Sequence, residues 1–415
     1  MKKSLAQKLA NSFTRSRTSR TTAKTSAESS ASVADTSQST HSAATSRNLR
    51  DISVRLDEHL VRLDLAGDEI DLDVISMSRQ IEKVKKYTNG SLPALVQPGA
   101  LSERDLELIK LAAWNAKAVY ASDTTHMDRV AQLADFSDYQ LTPHSESIDA
   151  SLRDGTVKAT SLKLFSPEKE SLPSLLVVAI RGSTSKRRDW TINFDDIGQG
   201  TDGDGFLNSD GFRYEVHGGY LECAKGMVEK VSGAISSILS KADQSPGSNI
   251  QLLFTGHSAG GAVASLLYAH MMSSNTSTLA DLRSKFSSID CIVFGSPPVS
   301  KPGLASYGQA STFLSIINEG DPVPRMDKGF IESLLTIYIS PMPAAPVTWD
   351  LPAMLLENAG IIMLLKDGKQ GFCTVPDDND QKKIRAVLET TIFGNPRAHK
   401  MDMYLWKLGL VKNLL

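Results

Sequence analysis

A serine lies in a glycine-flanked turn between a predicted strand and a predicted helix, an arrangement suited to nucleophilic chemistry. The apolar run 250–255 leads into the pentapeptide Gly256 to Gly260, and an alanine-rich stretch follows it. Small residues two positions before and two after the serine allow a sharp bend that lifts the hydroxyl above the sheet edge. The free N–H groups at the start of the helix favour negative charge that develops there. These features predict that Ser258 is a nucleophile.

The histidine that would activate this serine can be chosen by elimination. A serine hydroxyl needs an imidazole to take its proton, and in folds with this turn the acid and then the histidine follow the serine. Two histidines follow Ser258: His270, within the predicted helix that begins at the nucleophile, and His399, in a loop near the C-terminus. The order predicts His399 as the base. Without the serine, it would be interpreted as an exposed loop histidine.

A carboxylate that supports the histidine is expected just past a strand at the same sheet edge. Asp321 follows the apolar run 313–317, in a loop whose glycine and prolines project one side chain toward the site. Glu319 is the nearest rival in this loop. We predict Asp321 as the acid; its alternative interpretation is an ordinary turn aspartate before a proline.

Hydrogen-bond donors for a developing oxyanion are expected on two segments. One donor is the backbone N–H of Ala259, the residue after the nucleophile, and another comes from a loop after an earlier strand. The apolar run 175–180 leads into such a loop, where Ser183 offers its backbone N–H and its hydroxyl. Taken alone, this segment would be an ordinary Ser/Thr loop.

Apolar runs alternate with helical stretches along the rest of the chain. The central runs are continuously apolar, as expected for parallel strands that helices cover on both faces. A helix is also predicted from Ser102 to Tyr120, because apolar residues recur there at helical spacing after a capping serine. The sequence therefore predicts an α/β fold with a mostly parallel sheet. The predicted strands are 162–165, 175–180, 250–255, 291–294 and 313–317, and a further helix is predicted over 220–239.

The composition of the 415-residue chain excludes several kinds of partner. The formal net charge of −2 gives no electrostatic reason to bind nucleic acid. The sequence contains no Cys/His cluster with metal-binding spacing and no apolar run near the roughly 18 residues that span a bilayer. Three cysteines are too few for a disulfide framework and favour a reducing compartment. We expect a soluble or peripheral intracellular protein that needs no metal or organic cofactor.

The chain divides into three predicted regions. Residues 1–47, rich in Ser, Thr and Arg, are predicted to be a disordered tail because they cannot bury enough apolar surface. Residues 48–100 are predicted to be an N-terminal extension that packs on the core, and residues 101–415 the catalytic domain. The start of the chain lacks a secretory apolar region, so a cytoplasmic location is expected. Its basic, acid-free composition before Glu28 is also typical of a mitochondrial transit peptide, the alternative location.

Several separated motifs resemble those of the fungal-type class 3 lipases of the α/β-hydrolase superfamily. The resemblance covers roughly residues 101–410, and the ordered series is more specific than any single motif. It implies an α/β-hydrolase fold, with Ser258, Asp321 and His399 as a catalytic triad and Ser183 with Ala259 as the oxyanion hole. The motifs are Arg181 to Ser185 with Asp189 and Trp190, Val216 to Tyr220, Gly256 to Gly261, Phe294 to Pro297, Asn318 with Asp321 to Pro324, and His399 with Tyr404.

The resemblance also implies a short lid at residues 185–194, after the oxyanion serine. Trp190, Ile192 and Phe194 would form its apolar side, and its opening would uncover the nucleophile at a lipid surface. The alternative is that Trp190 is packed core. The chain departs from the family's pattern at Ala259, where a larger apolar residue is usual. It departs again in a long insertion, 333–380, which forms either a wall of the substrate site or a surface excursion.

The function implied by these residues is that of a serine ester hydrolase similar to triacylglycerol lipases. We expect it to cleave acylglycerols or related lipid esters in lipid metabolism, with transient contact with a membrane or lipid-droplet surface. Phospholipases, carboxylesterases and acyltransferases use the same triad, so the sequence leaves the substrate open. A catalytically inactive binding or scaffold protein with this fold is the alternative from another class.

Overall fold

The computed structural model describes most of the chain from residue 74 onward. All described residues belong to one unit, Asp73–Leu415, whereas the predicted tail 1–47 and the segment 48–73 lie outside the described residues. The described ranges are 74–93, 101–120, 138–150, 157–169, 171–183, 200–207, 213–242, 249–273, 276–305, 311–366, 372–373 and 378–411.

Eleven strands are present in the described ranges. The predicted strands at 162–165, 175–180, 250–255, 291–294 and 313–317 are all confirmed, each extended by one to four residues. The strands are β1 (Tyr139–Ile148), β2 (Thr160–Pro167), β3 (Ser174–Ile180), β4 (Gly200–Asp202), β5 (Glu215–His217), β6 (Ile250–His257), β7 (Ser288–Phe294), β8 (Ser300–Lys301), β9 (Phe313–Asn318), β10 (Ile361–Leu365) and β11 (Phe372–Cys373).

Eight α-helices accompany these strands in the same ranges. The helix Glu103–Ala118 begins after the predicted capping serine. The Ser102 side chain accepts a 3.1 Å hydrogen bond from the backbone N–H of Asp105, so this prediction is confirmed. No described helix has both the length and the apolar character that a bilayer-spanning segment needs. The helices are α1 (Val74–Val84), α2 (Glu103–Ala118), α3 (Gly218–Lys241), α4 (Ala259–Ser273), α5 (Thr278–Asp281), α6 (Lys328–Ile339), α7 (Asp378–Thr390) and α8 (Met401–Lys407).

The main sheet has the strand order β1-β2-β3-β6-β7-β9-β10-β11 among the described residues. The five strands from β3 to β10 in this order run parallel, and the outer strands β1, β2 and β11 pair antiparallel. A smaller antiparallel sheet has the order β4-β5-β8. The α/β architecture with a mostly parallel sheet is therefore confirmed.

The parallel strands bring their carboxyl ends to one edge of the sheet. At this edge Ile180, the last residue of β3, pairs with Gly256 near the end of β6. Ligand and active sites of open α/β sheets lie outside this edge. The segments that follow β3, β6 and β9 carry the candidate residues Ser183, Ser258 and Asp321.

Successive residues of the central strands belong to different apolar clusters. Leu176 and Val178 of β3 pack in the cluster that includes α3 and α4, whereas Leu175 and Val177 pack in the cluster that includes α2 and α8. Side chains alternate between the faces of a strand, so a strand covered on both sides must be apolar at every position. This explains the continuous apolar runs of the sequence.

A third apolar cluster surrounds the outer part of the sheet near β10. Val84, Tyr87 and Leu92, from the described part of the segment 48–100, pack there with residues of α6, α7 and β10. The backbone N–H of Thr88 also donates to the carbonyl of Val347, at 3.0 Å. Residues 84–92 are thus packed against, and hydrogen-bonded to, residues 311–393.

Strand β1 was not expected from the sequence. Its side chains alternate between exposed and half-buried along an edge of the sheet, and its pairing with β2 shifts register between Leu141 and Ser145, around Pro143. Edge strands with a polar face and a proline lack the apolar run by which the other strands are recognised.

The long segment 333–380 is more than the wall or surface excursion that the sequence left open. Its residues 361–365 form β10, which pairs in parallel with β9 from Ile361↔Leu314 to Leu365↔Asn318. Four of the five β10 residues are buried. This part of the segment is therefore a strand of the main sheet, reached after a long loop that follows α6.

Candidate active site

The turn between β6 and α4 holds Ser258 in a strained conformation. Ser258 has a φ of 58°, and it is the one non-glycine residue with positive φ in the described ranges. Such a backbone costs about 1–3 kcal/mol and persists where the surroundings impose it. A Cβ at Gly256 would lie 2.5 Å from the carbonyl carbon of Gly260, so the chain can double back this closely only without a side chain there. The half-buried serine stands at the sheet edge, as its sequence context predicts.

The predicted acid and base are in direct contact. Nδ1 of His399 lies 3.0 Å from both carboxylate oxygens of Asp321. Asp321 is fully buried, and its Oδ1 also accepts a 2.9 Å hydrogen bond from the backbone N–H of Val323. Because the carboxylate is an acceptor, the Nδ1 of His399 carries the proton, which leaves Nε2 as the basic nitrogen.

Tyr404 completes the surroundings of the carboxylate. Its hydroxyl donates a 2.6 Å hydrogen bond to Oδ2 of Asp321 and accepts one of 3.1 Å from the backbone N–H of Asn318. Burial, and then the neighbouring carboxylate, raise the pKa of Tyr404 well above its ordinary value, so the hydroxyl keeps its proton and donates. Tyr404 belongs to one of the sequence motifs, but the sequence gives no indication of this role.

The base lies beside the nucleophile turn. The ring centroids of His257 and His399 are 4.5 Å apart, and His257 directly precedes Ser258. Nε2 of His257 is 2.7 Å from the backbone carbonyl oxygen of His399. Neither contact of His257 with His399 is visible in the sequence, because the two residues are 142 positions apart.

The predicted oxyanion residues flank the serine. Ala259 is the first residue of α4 and is buried, so its N–H belongs to the first turn, where helix dipole and free donors favour negative charge. Gly182 lies against the turn, because a Cβ there would be 3.1 Å from Cβ of Ser258. Ser183 is the next residue and is buried, and Nζ of Lys158 donates to its hydroxyl at 3.5 Å.

Gly295 closes the site from the end of β7. It has a φ of 52°, and a Cβ at this position would lie 2.7 Å from Oδ2 of Asp321 and 2.8 Å from the hydroxyl of Tyr404. A side chain would therefore displace the acid. The glycine of this motif provides the space in which acid and tyrosine meet.

The rival residues of the sequence have other partners. Oε1 of Glu319 accepts a 2.7 Å hydrogen bond from the backbone N–H of Leu92. His270 lies in α4, with Nδ1 2.7 Å from the carbonyl oxygen of Phe206 and Nε2 2.9 Å from the Ser277 hydroxyl. In the described ranges, no group of three His, Cys, Asp or Glu side chains could hold a metal ion. The candidate lid residues Trp190, Ile192 and Phe194 lie outside the described residues.

One protein-family model matches the middle of the chain. Residues 177–329 match the model described as lipase (class 3). This segment of the chain is similar to the class 3 lipases. The matched segment carries Ser183, Ser258 and Asp321, whereas His399 and Tyr404 lie beyond its end. The match supports a lipase-like ester hydrolase in general, and the mostly parallel sheet with helices on both faces that the resemblance implies is confirmed.

Solved structures of several lipases are similar to this chain. The lipase of Rhizopus microsporus var. chinensis is 18% identical with a TM-score of 0.40, covering 74% of this chain and 93% of that one. M37 lipase is 14% identical with a TM-score of 0.43, covering 75% and 93%. A triacylglycerol lipase from Penicillium expansum is 16% identical with a TM-score of 0.38, covering 65% and 82%. No curated protein matches the sequence.

Proposed function

We propose that this protein is a serine ester hydrolase that cleaves acylglycerols or related lipid esters through an acyl-enzyme on Ser258. The observation that carries the proposal is the 3.0 Å contact between His399 and Asp321 beside the strained turn of Ser258. A histidine in this tautomer is the group that a serine hydroxyl needs to become a nucleophile.

The first half of the proposed reaction forms the acyl-enzyme. Oγ of Ser258 attacks the ester carbonyl carbon while its proton passes to Nε2 of His399, and Asp321 stabilises the resulting imidazolium. The carbonyl oxygen becomes an oxyanion, which the N–H of Ala259 and the N–H and hydroxyl of Ser183 stabilise. When the tetrahedral intermediate collapses, the alcohol leaves with the proton from Nε2.

The second half of the reaction releases the carboxylic acid product. Water gives a proton to Nε2 of His399 and attacks the acyl carbon, and the carboxylic acid leaves as the serine regains its proton. Every proton is carried by the chain's own residues, so the proposed cycle needs neither metal nor cofactor. Lipid esters gather at membranes and droplets, and we propose that the protein contacts such a surface during turnover.

A panel of esters tests the proposed substrate class. The panel varies acyl length and head group, includes glycerophospholipids, and is run with and without an emulsified interface. We expect hydrolysis of long-chain acylglycerols that increases at the interface. Preference for short soluble esters, for phospholipids, or for transfer to an added alcohol would replace this proposal by an esterase, a phospholipase or an acyltransferase.

A fluorophosphonate probe tests whether the serine is reactive at all. We expect the folded wild type to be labelled, Ser258→Ala to lose the label, and Ser236→Ala to keep it. Ser236 is a suitable control because it is an exposed residue of α3 whose hydroxyl donates to the carbonyl of Ser232 in its own helix. A folded wild type that takes no label would favour a catalytically inactive binding protein.

A further inference from the structure

His257, the residue before the nucleophile, has a partner on each ring nitrogen. Its Nε2 lies 2.7 Å from the backbone carbonyl oxygen of His399, and its Nδ1 lies 3.0 Å from the hydroxyl of Tyr120. The side chain is buried between these groups. It therefore links the predicted base to the segment that follows α2.

The chemistry of the partners fixes the direction of both hydrogen bonds. A backbone carbonyl can only accept, so Nε2 of His257 carries the proton and donates to His399. Nδ1 is then an acceptor, and the Tyr120 hydroxyl donates to it. Burial, and then the nearby imidazole of His399, hold the pKa of His257 well below its ordinary value, so the ring stays neutral.

The backbone of the base is held from two strands. His399 ends the short 3-10 turn Pro396–His399. Nδ2 of Asn318, at the end of β9, donates to the carbonyl of Ala398 at 2.8 Å, while His257, at the end of β6, donates to the next carbonyl. Asn318, near the predicted acid, thus holds the carbonyl of residue 398, and His257, beside the nucleophile, holds the carbonyl of residue 399.

We propose that His257 is a positioning residue that fixes the main chain of His399 to the nucleophile turn, and that Tyr120 holds His257 in the required tautomer. The inference rests on the proposed function, since it concerns how the base reaches Ser258. A misplacement of about 1 Å costs on the order of 100-fold in rate, so such a link has a measurable effect.

Tyr120 is placed to serve both the turn and the oxyanion loop. A Cβ at Gly182 would overlap the Tyr120 hydroxyl, so this loop packs directly on the tyrosine. The ring centroids of Tyr120 and His257 are 5.9 Å apart in an edge arrangement. The hydroxyl therefore has His257 and the loop within its immediate reach.

The rate of phosphonylation by a soluble fluorophosphonate measures the reactivity of the serine apart from lipid binding. We expect His257→Phe to lower this rate constant, per folded molecule, by about 100-fold. His257→Gln places an amide N–H near the position of Nε2, so it should recover at least about tenfold of that loss, whereas the shorter His257→Asn should not. Equal rates in the Gln and Asn variants, or a wild-type rate in His257→Phe, would overturn the proposal.

His270 provides the matched control, because it is also a buried histidine with two hydrogen bonds and lies about 18 Å along α4 from the nucleophile. His270→Phe and His270→Gln should lower stability yet leave the phosphonylation rate of the folded protein unchanged. A loss of rate equal to that of His257→Phe would show a general packing effect and overturn the proposal. A wild type that is not labelled contradicts the proposed function instead.

A double-mutant cycle keeps the test decisive if His257→Phe does not fold. Tyr120→Phe should lower the rate when His257 is present, because the ring loses the donor that selects its tautomer. In a His257→Gln background no tautomer exists, so Tyr120→Phe should add no further loss. Additive losses in the two backgrounds would exclude the proposed role of Tyr120.

Discussion

The hydroxyl of Tyr404 lies 2.6 Å from Oδ2 of Asp321, so a residue of the last described helix holds the carboxylate that contacts His399. The same oxygen of Tyr404 accepts from the backbone of Asn318 at the end of β9. The acid is thereby fixed between a strand and a helix that are more than 80 residues apart in sequence.

Tyr404→Phe tests the importance of this contact. The substitution removes a hydrogen bond to a buried carboxylate, so we expect the free energy of unfolding to fall by about 1.5–3 kcal/mol. We expect kcat to fall by up to about 100-fold, because the acid is no longer fixed. Denaturant unfolding and ester hydrolysis measure the two effects.

Tyr338→Phe is the control for this prediction. The Tyr338 hydroxyl donates to the carbonyl of Gly394 at 2.9 Å, so its loss should lower stability by about 1 kcal/mol and leave kcat unchanged. A kcat for Tyr404→Phe as high as that of this control would show that the carboxylate does not need the hydroxyl.

Asp321→Asn and Glu319→Gln separate the predicted acid from its rival. An amide at position 321 cannot stabilise the imidazolium of His399 and favours the wrong tautomer, so kcat should fall on the order of 10⁴-fold. The carboxylate of Glu319 accepts from the backbone N–H of Leu92, whereas Nδ1 of His399 contacts Asp321, so Glu319→Gln should retain kcat. The reverse order of losses would assign the acid to Glu319.

Gly295→Ala tests the space in which acid and tyrosine meet. The added Cβ would lie 2.7 Å from Oδ2 of Asp321, so we expect kcat to fall by at least about 100-fold in protein that still folds. Gly205→Ala is matched in backbone strain, because Gly205 has a φ of 78° but no atom within 4 Å of the added Cβ. Gly205→Ala should lower the free energy of unfolding by about 1 kcal/mol and leave kcat unchanged. Equal kcat losses would point to backbone strain alone.

The contribution of His257 to stability should fall as the pH drops below about 6.5. Burial holds the pKa of His257 well below its ordinary value of 6.5, so below that pH the unfolded chain binds a proton that the native protein does not. The contribution of this fully buried imidazole reaches about 1.4 kcal/mol per pH unit. The stabilisation due to neutral His257 is present in full above pH 6.5 and is lost as the pH falls toward the lower native pKa.

Denaturant unfolding between pH 8 and pH 5 measures this dependence. His257→Gln should show a shallower slope than the wild type over this range, because it lacks the titrating ring. Burial raises the pKa values of Asp290 and Asp327, which act in the opposite direction, but both groups are present in both proteins and cancel in the comparison. Identical slopes would mean that His257 is not held neutral in the native state.

The sequence by itself determined the strands of the central sheet and the nucleophile turn, because both are encoded locally. A strand covered on both faces needs an apolar residue at every position, and the turn needs glycine at 256 and 260 where a Cβ would meet backbone. Chain order was enough to name Asp321 and His399, and their side chains lie 3.0 Å apart. Their roles are predictions for the variants above.

Tertiary structure alone decided what surrounds these residues. The contacts of Tyr404 with Asp321 and of His257 with His399 join positions 83 and 142 residues apart, and they exist because parallel strands bring their ends to one edge. Strand β1 escaped sequence reasoning because an edge strand has a polar face, and β10 was hidden in what looked like an insertion. Long-range hydrogen bonds and the pairing of outer strands depend on residues far apart in the sequence, so they are seen only in the folded chain.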